Sequence, residues 1–381
     1  MPTMLWLVLG LLPVGFAISL PVTAWLVRLG HRLGTLDSAG SVGHQKTLRT
    51  VPNVGGVAIY AAVALPLLAA VLVVRLVPDD MLLRWVPPLA AHLPRLHASS
   101  GLAITLLGGM TLLHVTGLVD DRRSLGAWPK LLVQILVAVV LTLFFDVRLL
   151  DVLGPVASVI ATVIWIVAVT NAFNFMDNMD GLAGGVAAVA SILFMVATIL
   201  NHQWFIAATL ALLVGALLGF LVFNFPPARI FMGDGGSLVV GFLLAVLTAR
   251  TTFYNPAETD YALGTAWYGV FMPLVVLAIP LYDFLVVTGI RLTQKKSPFV
   301  GDQQHFSHRL VERGLSSRAA VLVICGATAV TGMSGIALGR LAPWQAALVG
   351  VQTLLVLGVI GLLEHASRPS RSSASPPEGS A

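Results

Sequence analysis

The chain has 381 residues, 57% hydrophobic and only 10% charged, where a soluble domain carries about 25% charge; a soluble globule, a disordered chain and a collagen-like repeat are excluded. Its one cysteine, Cys325, rules out both an internal disulfide and a cysteine-based metal site. The formal charge of +5 is modest and no basic run exceeds two residues, which argues against nucleic acid as a partner and leaves a polytopic, all-α membrane protein.

A helix needs about 20 mainly apolar residues to cross the hydrocarbon core. By that rule eleven transmembrane helices are predicted, near 4–27, 54–77, 101–119, 131–145, 156–173, 181–200, 204–223, 236–250, 268–290, 319–338 and 344–363. The first is too long and too poor in N-terminal charge for a cleaved leader, so a retained helix is expected. With the N-terminus outside, loops 28–53, 120–130, 174–180, 224–235 and 291–318 share one face with the tail from 364. That face holds sixteen of the 22 Lys and Arg, the asymmetry of a cytoplasmic side. The expected orientation is N-terminus outside and C-terminus cytoplasmic. Residues 1–366 are read as one integral membrane domain and 367–381, rich in Ser, Pro and Ala, as a disordered tail.

Acidic residues collect at the cytoplasmic span ends, where a charge costs less than at mid-bilayer but still needs a partner. The first cluster is Asp120-Asp121-Arg122-Arg123, followed by Lys130; adjacent carboxylates raise each other's pKa and can share a proton or a cation. The second runs from Asn171 to Gly185. Asn171, Asn174 and Asp177 repeat at i, i+3 and i+6, as do Asp177 and Asp180 at i, i+3, a spacing that stacks amides and carboxylates along one side of a helix. Oxygen-only ligands of this type suit Mg²⁺ or Mn²⁺. In the third, Phe231-Met232-Gly233-Asp234-Gly235-Gly236-Ser237, glycines allow a tight turn that presents Asp234. The amides of Gly235, Gly236 and Ser237 then form a helix N-terminus open to phosphate oxygens. Asp283, after Pro280 in the ninth span, is either functional or holds Arg291 or a helix end. The fourth cluster, in the longest inside loop, carries Asp302, His305, His308 and Arg309. Two histidines without a cysteine make a poor zinc site, so phosphate contact is favoured. His114, inside the third span, reads as a helix–helix polar contact.

Metal-binding oxygens, a carboxylate pair and a His/Arg loop on one membrane face suit phosphoryl or pyrophosphate chemistry. No Walker A, GxSxG or HExxH sequence is present. The DD pair, NAFNFMDNMDGLAGG, FMGDGGS and the SPF…D…H…HRL loop, in this order over roughly residues 28–312, resemble the polyprenyl-phosphate N-acetylhexosamine-1-phosphate transferases. Eleven spans with an outside N-terminus resemble the GlcNAc-1-phosphate branch, rather than the ten-span muramoyl-pentapeptide branch.

The resemblance implies transfer of a sugar 1-phosphate from a UDP-sugar to undecaprenyl phosphate at the cytoplasmic leaflet of the plasma membrane, with release of UMP and a need for Mg²⁺. It implies Asn174 and Asp234 as metal ligands and Asp120 and Asp121 at the lipid-phosphate site, one of them as a base. A phosphate monoester near neutral pH is already largely dianionic, its second pKa being about 6, which reduces the need for one. Catalytic parts thus fall to Asp120, Asp121, Asp234 and His305. Lys46, Lys130, Asn171, Asp177, Asp180, His308 and Arg309 are implied to bind substrate, and a homodimer is admitted. Two positions depart from the family pattern: Ser307 stands where a second loop His is usual, and Leu48 replaces a His in the first inside loop. Three rivals are weaker. A muramoyl-pentapeptide transferase shares the motifs. A CDP-alcohol phosphotransferase shares only the DxxDG start at Asp177. An ion-coupled transporter would place its acids near the bilayer midplane.

Overall fold

The structure is a computed structural model that describes residues 2–33, 51–145, 147–150, 154–251, 266–295 and 305–365. Among these residues every regular element is helical. The order is α1 (Pro2–Leu33), α2 (Gly56–Leu76), α3 (Asp79–Trp85), a 3₁₀ turn (Pro87–His92), α4 (Leu93–Arg122), α5 (Ala127–Phe144), α6 (Pro155–Met176), α7 (Leu182–Leu200), α8 (Trp204–Asn224), α9 (Asp234–Thr251), a 3₁₀ turn (Trp267–Phe271), α10 (Met272–Val276), α11 (Ala278–Thr293), α12 (Phe306–Glu312), α13 (Ser317–Gly335), a 3₁₀ turn (Leu338–Arg340) and α14 (Pro343–His365). Ten helices among the described residues are long and apolar enough to cross a bilayer, and a bent pair makes an eleventh. All eleven expected spans fall on these elements.

Two expectations need correction. The ninth span is not continuous: residues 267–276 and 278–293 meet at 68°. Pro280 supplies the cause, since its ring has no N–H to give and clashes with the carbonyl four residues back, so the helix breaks before it. The third span also begins earlier than expected, because α4 runs on from Leu93 through a stretch too polar for a span rule based on apolar length.

Helix α9 is the hub. Sixteen of its 18 residues are buried, and its principal neighbours are α2, α4, α6, α7 and α8. At the periphery α1 crosses α8 backbone against backbone. A Cβ on Gly215 would lie 2.1 Å from the Leu12 carbonyl oxygen, and Ser19 Oγ donates to the Ala216 carbonyl at 2.7 Å. Small residues at such a crossing substitute close packing for a hydrophobic drive that lipid does not provide. The exposed apolar side chains, Trp128, Leu132 and Leu136 on α5 and Leu354, Leu355 and Leu362 on α14 among them, face outward where acyl chains would lie.

Candidate active site

The segment before α9 is clamped from three sides. Phe231 N–H donates to the Pro52 carbonyl (2.8 Å), and Gly55 and Gly56 N–H donate to the carbonyls of Phe231 and Met232 (2.9 Å each). Asn224 Nδ2 holds the Ile230 carbonyl (2.8 Å) while its Oδ1 accepts from Gly181 N–H (3.0 Å). Asp180 accepts from Ala228 N–H (3.0 Å) and Asp177 from Gly233 N–H (3.1 Å). Asp177 and Asp180 therefore tie the α6–α7 turn to the α8–α9 loop.

Gly233 stands at the cap position of α9, and its carbonyl accepts from Gly236 and Ser237 N–H (3.0 and 2.9 Å). Its φ of +71° is left-handed, which glycine adopts without strain. Glycine has no side chain to cap the next two N–H groups, and Asp121 supplies the cap from α4. Its Oδ1 accepts from Asp234 N–H (3.0 Å) and from Asn53 Nδ2 (3.1 Å), and its Oδ2 from Gly235 N–H (3.2 Å). This corrects the expectation of a phosphate-binding helix N-terminus: the amides of Gly235, Gly236 and Ser237 are already engaged by Asp121 and Gly233. Deeper in the bundle, His114 binds the Gly235 carbonyl through Nδ1 (2.7 Å) and stacks on Tyr60 at 4.4 Å, a helix–helix contact as expected.

Asp234 is carried on this fixed turn. Lys130 Nζ, from α5, donates to Asp234 Oδ2 and to Asp120 Oδ2, both at 2.7 Å. Asp120 Oδ1 accepts from Leu125 N–H (2.7 Å). Asn174 Nδ2, from α6, donates to Asp234 Oδ1 and Ser237 Oγ, both at 2.9 Å. Asp120, Lys130, Asn174 and Asp234 thus meet at one end of the bundle, from four helices. The adjacent carboxylates take different hydrogen-bond partners: Asp120 turns to Lys130, Asp121 to the α9 backbone.

The amide and carboxylate ladder of α6 is only partly formed. The helix ends at Met176, so Asp177 and Asp180 lie in the following turn instead of stacking. Asn171 is buried and donates to Gln134 Oε1 and to the Val167 carbonyl. It fastens α5 to α6 one turn below Lys130 and Asn174 and is removed from the centre.

A second layer forms around α12. His305, only 4% exposed, binds Asp283 Oδ2 through Nδ1 (2.8 Å), and Phe306 N–H donates to Asp283 Oδ1 (3.0 Å). Asp283 thus holds a helix end. Ser307 Oγ donates to Asn178 Oδ1 (2.7 Å), which gives the residue that departs from the family pattern a docking contact with the α6–α7 turn. The His305 ring meets the edge of Phe175 at 6.2 Å, and the Arg291 guanidinium lies over the Phe175 ring at 4.8 Å. Buried and with its Nδ1 engaged, His305 pins the start of α12 to α11. Burial first, and then the neighbouring His305, hold His308 below the usual histidine range. Lys46 and Asp302 lie outside the described residues, as does the tail 367–381.

Among the described residues no three His, Cys, Asp or Glu side chains could cage a cation by themselves. Magnesium does not need such a cage; it is commonly held by one or two carboxylates, with waters and substrate phosphates completing its shell. Asp234 and the Asn174 Oδ1, with Asp120 beside them, form a donor set of that kind. The cluster's carboxylates outnumber Lys130, a local negative excess that favours a divalent cation. Asn178 belongs to the Asn171–Gly185 cluster read from the sequence, whereas Asn53 and Gln134 were given no part. Of these two only Gln134 left a signal, being one helical turn from Lys130 on α5.

Residues 103–252 match the family model described as glycosyl transferase family 4. The chain is 34% identical to the decaprenyl-phosphate N-acetylglucosaminephosphotransferase of Mycobacterium leprae, over 72% of this chain and 69% of that protein. It is 27% identical to the Bacillus subtilis protein named "Probable undecaprenyl-phosphate N-acetylglucosaminyl 1-phosphate transferase", over 93% and 94% of the two chains. It is also 34% identical to a phospho-N-acetylmuramoyl-pentapeptide-transferase of Desulforudis audaxviator, over 63% and 76%.

Proposed function

The chain belongs to glycosyl transferase family 4, and from that premise we propose that it transfers N-acetylglucosamine 1-phosphate from UDP-GlcNAc to a polyprenyl phosphate, undecaprenyl phosphate foremost, releasing UMP. The observation that carries this reading is the meeting of Asp120, Lys130, Asn174 and Asp234 at one end of the membrane bundle. Two relatives named for GlcNAc-phosphate transfer to a polyprenyl phosphate align over most of this chain.

Asp234 and Asn174 would hold Mg²⁺, with Asp120 at its side. When bound, the metal supplies charge neutralisation on the pyrophosphate as UMP departs. Lys130 sits between Asp120 and Asp234 and offers its ammonium to the phosphate oxygens of the acceptor, which is already largely dianionic near neutral pH. Asp177 and Asp180 fix the loop that leads into Asp234, and so place the floor of the nucleotide site. His308 and Arg309, on α12, face the same end of the bundle and hold the sugar or the pyrophosphate. The positive-inside asymmetry supports a cytoplasmic position for this end, and the bacterial relatives named for polyprenyl-phosphate substrates support the plasma membrane.

The test is UMP release by purified protein given undecaprenyl phosphate, Mg²⁺ and a panel of UDP-sugars. UDP-GlcNAc is expected to release UMP, and Asp234→Ala to abolish it. No release with any sugar from well-folded protein would refute the reading, and preference for UDP-MurNAc-pentapeptide would move the chain to the other branch.

A further inference from the structure

We infer that Asp121 is a positioning residue: it caps helix α9 in trans and so sets the place of Asp234, while its neighbour Asp120 faces the reaction with Lys130. This rests on the transfer reaction proposed above for its catalytic part, but the capping part stands on geometry alone.

The first N–H groups of a helix have no intrahelical partner and take a side-chain oxygen at the cap position where one is present. Here the cap position is Gly233, which offers none. The N–H groups of Asp234 and Gly235 instead receive the two oxygens of Asp121. The fit is mutual. A Cβ on Gly233 would lie 2.6 Å from Asp121 Oδ2 and 2.7 Å from Asn53 Oδ1, so the missing side chain is what lets the carboxylate reach the backbone. Helix α4 can come this close because Gly117 lies against the same turn, where a Cβ would sit 2.4 Å from the Asp234 carbonyl carbon. A third donor, Asn53 Nδ2, reaches Asp121 from the segment before α2.

A base or a phosphate-facing ligand needs an oxygen turned toward the substrate. An ionised carboxylate has about four acceptor sites, and three are taken here by N–H donors, on both oxygens. Asp120 differs: it accepts one backbone N–H, and its side-chain partners are the Lys130 ammonium, which it shares with Asp234, and the Asp234 carboxyl group itself.

Hydrogen–deuterium exchange of the full-length protein in detergent tests the cap without any substrate. Asp121→Ala is expected to speed exchange of the amides over 233–237 by about tenfold or less, the scale of a lost cap. Asp121→Asn, which keeps one carbonyl acceptor, should show a smaller increase, and Asp120→Asn none in that peptide. In the UMP-release assay Asp121→Asn should stay at least about tenfold above Asp234→Ala, a positioning loss being partial where loss of a group at the reacting atoms is not. Added Mg²⁺ should recover part of the deficit. Asn53→Ala, which removes one donor to the same carboxylate, should follow the same pattern more weakly and serves if Asp121→Ala does not fold. Unchanged exchange in both Asp121 variants, or Asp121→Asn as inactive as Asp234→Ala, would overturn the inference. If the unaltered protein releases no UMP from any sugar, the transferase reading fails while the exchange result still decides the cap.

Discussion

At the scale of single residues, both oxygens of Asp283 are engaged by one short helix. Asp283→Ala would leave His305 Nδ1 and the Phe306 N–H without acceptors in a buried setting. The expected cost is about 2–4 kcal/mol in thermal or denaturant unfolding, with Asp283→Asn milder because it retains one acceptor. His308 carries a pH signature. Its folded pKa lies below the ordinary 6.5, so below that value the unfolded chain binds the proton more readily. Stability should be full above pH 6.5 and should fall as pH drops from there to the lower folded pKa. His308→Asn should flatten that portion of a melting-temperature profile. The residues of the candidate cluster stood out in the sequence because acids and amides gather at successive span ends on one face of a chain that is only 10% charged. Their partners were not. Asp120 and Asp121 are neighbours in sequence, yet successive residues on a helix point about 100° apart, and one turns to a lysine while the other turns to a backbone. Nor could the free-looking amides of Gly235 and Gly236 reveal that another helix had already claimed that turn.

At the scale of elements, the close crossing of α1 and α8 is the most demanding contact in the bundle. Gly215→Leu would drive a side chain into the Leu12 backbone and should destabilise the protein by about 1–3 kcal/mol or more. The measurement is the midpoint of detergent-resistant folding. The Gln134–Asn171 bond between α5 and α6 should be worth less. A double-mutant cycle to leucine is expected to give a coupling of about 0.6 kcal/mol, typical of hydrogen bonds within membrane helices. Span positions were legible because apolar length alone selects them. The break within the ninth span was signalled by Pro280, but a hydropathy window averages over one proline. The end of α6 at Met176 was hidden for a related reason: the i, i+3, i+6 spacing of Asn171, Asn174 and Asp177 continues past the point where the backbone has left the helix.

At the scale of the whole molecule, the proposed orientation predicts opposite labelling of two exposed sites. In a Cys325→Ala background, Ser124→Cys should react with an impermeant maleimide only in inside-out vesicles and Asp80→Cys only in right-side-out ones. The reverse pattern would invert the topology. The hub position of α9 bears on how the protein is made. It is the least apolar of the ten single-helix candidate spans, and alone would be the poorest at leaving the translocon for lipid. Its principal neighbours, α2, α4, α6, α7 and α8, all precede it in the chain. Ribosomes deliver segments in that order, so a lined groove can be waiting when this wedge emerges, with an acceptor for its leading amides already in place. Nascent chains stalled before residue 234 would carry every other member of the carboxylate, lysine and amide set without a centre to serve, and the seating of one late helix would bring that set together.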